Sequence, residues 1–583
     1  MKMRLTLLAS LTLCAQIPPH VSRPPEINYP APAPADFATS QGLRAHIERY
    51  ETDLGALQRF YRIDEAPQRL AALRRFFTTW KSTLAAMNFA ALPHDAQVDH
   101  ILLANEIDRE LRQLSLTEEK VNEAKPLLPF ADALWGLIDQ RQRVEPIDPA
   151  KIAAQLHQLD KEIGHAAKEL ASQKGKIKPT AANRAALLTR NFIGHLREWN
   201  TFYTGYDPLF TWWTAEPYGR FIKSLDKYGD DLREKLAGVA KSDKDTIIGD
   251  PIGDAALRAD LKFAYILYTP EELVRLAEKE FAWCDREMLK ASRELGFGDD
   301  WKKALEHVKT LHVPPGQQTT LVRDMVFEAV NFIEKRDLIT IPAYAKDIWR
   351  MQMMSPERQR VSPFFLGGES IIVSFPTGEM PHESKLMSMR GNNIHFSRAT
   401  VHHEVIPGHH LQGYMNARHR PWRRTFRTPF WTEGWALYWE FRLWDLGFPQ
   451  SPENRIGMLF WRMHRCARII FSLNFHLEKM TAQQAVDFLV DRVGHERENA
   501  AAEVRRSFET SYEPLYQAAY MLGGLQFRAL HEELVKSGKM TEKAFHDAIL
   551  QNGPMPVELV RASLLKQPLK PGHTAAWRFY GQP

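Results

Sequence analysis

Along much of the first 240 residues, apolar side chains return every three or four positions. Leu54, Leu57, Phe60 and Tyr61 form one such set, and Leu70, Leu73, Phe76 and Phe77 form another. This spacing follows the 3.6-residue turn of an α-helix, so helices are predicted from about residue 40 to 240. The pattern continues over residues 270–295, where Pro270 followed by Glu271 and Glu272 supplies a helix start, and over 319–335. Charged stretches such as Asp160-Lys161-Glu162 read as solvated helix faces. No short-period repeat points to a solenoid.

Between residues 361 and 376 the pattern changes. Phe364 and Phe365, the pair Gly367-Gly368 and then Ile371-Ile372-Val373-Ser374-Phe375 predict a turn and a strand closed by Pro376. At the other end, Lys2 and Arg4 precede the apolar stretch Leu5 to Leu13, which is too short to span a bilayer and reads as an export signal. Cleavage near Ala15 is one outcome. An uncleaved apolar tail is a second, and lipid attachment at Cys14 is a third, against which stands the large Leu13 where such a site takes a small residue. The proline-rich stretch with Pro30-Ala31-Pro32-Ala33-Pro34 reads as an extended tether. The chain is accordingly divided into a signal peptide (1–15), a tether (16–36), a helical N-terminal region (37–360) and a catalytic region (361–583).

Composition adds little beyond an ordinary globular chain. At 583 residues one core seldom suffices, so two lobes are expected. A net charge of +5 without a basic stripe gives no support to nucleic acid as a partner. After export only Cys284 and Cys466 remain, too few for a disulfide framework, and no later segment is long and apolar enough to span a membrane. The 15 Trp and 31 Phe read first as a large core and second as an apolar cleft.

The chemistry concentrates in His403-Glu404-Val405-Ile406-Pro407-Gly408-His409, followed by Glu433-Gly434-Trp435-Ala436-Leu437-Tyr438. Two imidazoles and a carboxylate can hold a catalytic Zn²⁺ with a fourth position open to water, and a glutamate beside the first histidine can take that water's proton. This assigns His403, His409 and Glu433 as metal ligands and Glu404 as general base. In a straight helix a residue six positions on lies about 120° around the axis and about 9 Å away, out of reach. Pro407 lacks an N–H and clashes with the carbonyl four residues back, while Gly408 accepts unusual dihedrals. A break between the histidines is therefore predicted, with His410 the rival to His409. Glu440, on the same helical face as Glu433, is placed either as an acceptor for a ligand imidazole or in an ordinary salt bridge.

These residues resemble the DUF885 proteins, a bacterial group related to the gluzincin metallopeptidases, whose hallmark is H-E-x-x-P-G-H-x-x-Q followed by E-G-W-A-L-Y. The matching stretches are His403 to Gln412 and Glu433 to Tyr438, and looser blocks continue to about residue 565. Ser472, Asn474 and Ser507 depart from the family pattern without touching the ligands. The resemblance implies a mainly α, gluzincin-like, two-lobed helical metallopeptidase with a small β element next to the zinc-binding helix. It implies that the 371–375 strand aligns an extended peptide, and that Tyr520 and His476 lie near the cleft as donors to an oxyanion. Arg465, Arg468 and Arg505 are candidates to hold a substrate carboxylate or to form buried ion pairs. The expected function is zinc-dependent hydrolysis of short peptides outside the cytoplasm. A zinc amidohydrolase and a catalytically silent binding protein are the alternatives.

Overall fold

The computed structural model describes residues 42–582 except 244, 360–363 and 511. The signal segment, Cys14 and the tether lie outside the described residues. Among the described residues the chain is mainly helical with one small two-stranded sheet. Local sequence accounts for many helix starts. The Pro270–Glu294 helix opens on a capping box, in which Thr269 and Glu272 satisfy each other's backbone N–H groups, with Pro270 in the first turn. Its buried Leu273, Leu276, Ala277, Phe281, Cys284, Met288 and Ala291 recur at helical spacing.

The first helix, Arg44–Phe60, buries His46, Ile47, Tyr50 and Leu57, a face set slightly to one side of the predicted Leu54–Tyr61 set. The second, Pro67–Ala85, buries Leu70, Leu73, Phe76 and Phe77 as predicted.

Apolar side chains gather into three clusters. One consists almost wholly of residues 124–236, a bundle of the helices Ala131–Gln142, Pro149–Gln173, Pro179–Thr204 and Pro208–Asp231. The other two draw on both sides of residue 360: Tyr50, Phe77 and Trp80 share a cluster with Trp435 and Trp439, and Leu276 and Phe281 share one with Phe460 and Tyr520. Helices before residue 360 thus form part of the wall behind the histidine and glutamate motifs.

The crossing that organises the site joins the helices Pro429–Asp445 and Tyr516–His531. A Cβ on Gly434 would lie 2.5 Å from the Gly523 Cα, and one on Gly523 would lie 2.0 Å from the Phe430 carbonyl oxygen. Only glycines permit this approach, and it brings Glu433 against Tyr516 and Tyr520. The predicted strand forms as Ser370–Val373 and pairs in parallel with Arg350–Met353, a strand the apolar pattern did not announce because three of its four residues are exposed. Ile372 exchanges backbone hydrogen bonds with Leu366, so its outer edge is already closed by the chain and does not offer the predicted alignment edge at that residue. The β element does lie next to the histidine helix, because the Gly368 N–H donates to the Glu404 carbonyl oxygen at 3.2 Å.

Candidate metal centre

The helix carrying the first histidine, Ile394–Glu404, ends at Glu404, and a new one, His409–Asn416, begins at His409. The break falls where Pro407 and Gly408 predicted it. Gly408 is packed so closely that a Cβ there would lie 1.7 Å from the His403 carbonyl oxygen. Two later motif residues hold the break in place: the Trp435 indole N–H donates to the Pro407 carbonyl at 2.9 Å, and the Gln412 amide donates to the Trp431 carbonyl at 3.2 Å. Gly408→Ala is therefore expected to force the two segments apart. Overpacking of this kind typically costs about 1–3 kcal/mol, read as a lower Tm together with loss of bound metal in elemental analysis.

The break turns His409 back toward His403. Nε2 of His409 lies 3.1 Å and Nε2 of His403 lies 3.5 Å from the same Glu433 oxygen, and one ligand atom from each residue falls within 4.8 Å of the others. An ion about 2.0–2.2 Å from each of several tetrahedral donors would hold those donors about 3.3–3.6 Å apart. The three groups therefore fit a transition-metal ion. The other ring nitrogen of His403, Nδ1, donates to Glu440 at 2.7 Å, which leaves Nε2 free to ligate. Glu440 thus orients the His403 ring and also lies 3.6 Å from Arg465, so it meets both of its expected kinds of partner. His410 does not compete: its Nε2 donates to the Ala345 carbonyl at 2.7 Å. His402 is buried edge-on to Phe448 and takes no part.

Charge is tightly coupled here. Burial disfavours an imidazolium at His403, but hydrogen bonds to Glu433 and Glu440 outweigh it and push the ring up to about 9. Burial likewise opposes ionisation of Glu433, yet His409 and His403 hold its carboxyl well below the usual range, so it is an anion. Burial raises the Glu404 carboxyl. Glu404, His409, Glu433 and Tyr520 all line one cavity of about 970 Å³, near the upper end for small-molecule sites.

Tyr520 stacks on His403 with ring centroids 6.1 Å apart. Burial, reinforced by the charge of Glu433, pushes its phenol up to about 12, so it stays a hydrogen-bond donor near neutral pH. A second tyrosine, Tyr516, donates its hydroxyl to the Glu433 oxygen that faces away from the histidines. Sequence reading missed it. The available signal was its place four residues before Tyr520, one turn back on the same helical face.

Two predicted residues sit elsewhere. His476 closes the Pro452–His476 helix, is packed against Phe475 and Phe508, and is not among the cavity-lining residues. It stands eight residues beyond Arg468, about 12 Å farther along the helix axis. Arg505 points outward to Glu509 and the Asp245 carbonyl, and its neighbour Arg506 lines the cavity instead.

A family model described as "Bacterial protein of unknown function (DUF885)" matches residues 38–564. The chain belongs to the DUF885 family. The match extends far upstream of the segment where motifs were recognisable, and it includes the helices that back the cavity. Among solved structures, "a putative lipoprotein of unknown function from Shewanella oneidensis" aligns with a TM-score of 0.64 at 16% identity, covering 90% of this chain and 99% of that one. A protein from Colwellia psychrerythraea, also described as a putative lipoprotein, aligns with a TM-score of 0.56 at 16% identity, covering 86% and 91%. At such identity the likeness establishes a shared fold. No curated protein matches the chain. Among the described residues no helix is long and apolar enough to cross a membrane.

Proposed function

We propose that this protein is a zinc-dependent peptidase acting on short peptides, with His403, His409 and Glu433 as the metal ligands. The observation that carries this reading is the clustering of that three-donor set, of which His409 and Glu433 line the same cavity as the half-buried Glu404 carboxylate. When bound, zinc supplies Lewis acidity, lowering the pKa of a water and polarising a carbonyl oxygen. Glu404 accepts the attacking water's proton and returns it to the departing amine nitrogen. Burial raises its pKa, which favours keeping the proton on Glu404 between the two halves of that task. Glu440 fixes the tautomer of His403, and Tyr516 fixes the orientation of Glu433.

Tyr520 donates a hydrogen bond to the oxygen on which negative charge develops. Tyr520→Phe, which removes one hydroxyl, should lower kcat by up to roughly 10²–10³-fold while leaving KM and Tm nearly unchanged. Parallel kinetics and thermal unfolding check this; an unaltered kcat would remove Tyr520 from the mechanism.

Export is part of the reading. It is supported by the basic and apolar N-terminal segment and by the lipoprotein descriptions of the two solved relatives. The activity is tested with N-blocked and free short peptides beside simple non-peptide amides, each assayed with and without a chelator. Chelator-sensitive peptide cleavage supports the proposal; cleavage of non-peptide amides alone would make the protein an amidohydrolase.

A further inference from the structure

Behind Tyr520 lies a group of buried guanidiniums whose charges are unevenly matched. Arg465, Arg468 and Arg506 are each less than a tenth exposed. Arg468 has a close carboxylate, with Nε and Nη2 both 2.7 Å from one oxygen of the buried Glu503, although its Nη1 has no hydrogen-bond partner among the described residues. Arg465 reaches Glu440 at 3.6 Å and stacks over Tyr520 at 4.6 Å. Arg506 has no carboxylate of its own. Its nearest is the other oxygen of Glu503 at 3.8 Å, beyond hydrogen-bonding range, and its Nε has no hydrogen-bond partner among the described residues.

The remaining anions nearby do not cancel this charge. Glu433 and Glu404 face the proposed metal centre, where a divalent cation would balance both when bound. The face of Tyr512, 4.6 Å from the Arg506 guanidinium, offsets only part of the cost of burying a cation that shares its one carboxylate at 3.8 Å with Arg468. What distinguishes Arg506 from the other two is access, because it lines the cavity. An anion arriving there would gain a two-pronged partner already desolvated and held in place.

The path from Arg506 to the metal centre is short. Tyr512, under the guanidinium, has its ring 4.3 Å from that of Tyr516, and the Tyr516 hydroxyl donates to Glu433. An extended peptide advances about 3.3–3.6 Å per residue. A carboxylate held by Arg506 therefore sets a bond a few residues upstream at the metal centre. We propose that Arg506 receives the free C-terminal carboxylate of the substrate, so that the protein cleaves short peptides near their C-terminal end. This rests on the peptidase reading above for its chemistry, although the anion subsite stands on its own geometry.

The test uses the full-length, zinc-loaded protein and N-acetylated tetrapeptides that differ only in ending as a free acid or an amide. The acid should be cleaved with a kcat/KM at least about 30-fold above the amide, the scale expected when one partner of a buried charge pair is lost. Arg506→Gln and Arg506→Lys should bring the acid down toward the amide, since the lysine keeps the charge but not the fork. Arg505→Gln should keep the full preference. Equal kcat/KM for acid and amide in the unaltered protein, a comparison that needs no variant to fold, would overturn the carboxylate subsite and leave the peptidase reading standing. If neither peptide is cleaved, calorimetry of the same two peptides separates the claims. Tighter binding of the acid, lost in Arg506→Gln, keeps the subsite and removes the peptidase reading; equal or absent binding removes both.

Discussion

Replacing Glu404 by glutamine is expected to leave zinc bound and to slow peptide hydrolysis by at least the ~10²–10⁴-fold typical of a lost general base. Glu404 adjoins His403 but stands apart from the proposed donors His403, His409 and Glu433, and its side chain lines the cavity beside His409 and Glu433. Glutamine keeps the shape of the side chain and fills the same space beside Gly367. It lacks the carboxylate that accepts the proton. The metal content of the variant should match that of the parent protein, so that the loss is assigned to proton transfer rather than to an emptied site. A variant that hydrolyses peptide at nearly the parent rate would remove the proposed mechanism.

Loss of a metal ligand should be more damaging still, because it removes both the ion's Lewis acidity and the acidified water. His403→Ala, His409→Ala and Glu433→Ala should each lose zinc on dialysis and fall below the activity of the Glu404→Gln protein. His410→Ala is the contrasting case: its ring serves the Ala345 carbonyl, so zinc should be retained even where stability drops. Elemental analysis and peptide hydrolysis on the same four preparations give the answer. Full zinc occupancy in His409→Ala with loss in His410→Ala would reverse the assignment.

The parts of the site legible in the sequence were those fixed by local geometry. Pro407 and Gly408 forbid a regular helix between the histidines, and that alone predicts the break that aims His409 at His403. Glu440 was legible because a separation of seven residues from Glu433 keeps both on one helical face. Tyr516 and Arg506 were not, because their positions depend on how helices cross. Tyr516 meets Glu433 only because Gly434 and Gly523 let two backbones touch, and nothing in a single sequence states which helix packs on which. Arg505 and Arg506 differ by one residue, hence by about 100° of helix rotation, and the buried Glu503 three residues before Arg506 marks the inner side. His476 shares the helix of Arg465 and Arg468, but helix length carries it away from the site.

The fold shows the same division. Helices were legible wherever a one-sided apolar face recurs, as in Pro67–Ala85. The Arg350–Met353 strand was not, because its place comes from pairing with Ser370–Val373 rather than from its own mostly exposed residues.

The central claim is that one zinc ion held by His403, His409 and Glu433 makes this protein a peptidase, and it is tested most directly by chelation and reconstitution. Purified protein is stripped of metal, assayed on short peptides, then titrated with zinc while hydrolysis and metal content are followed together. The account predicts no cleavage by the stripped protein and recovery that saturates at one zinc per chain. Peptide hydrolysis at the full rate by metal-free protein would contradict it.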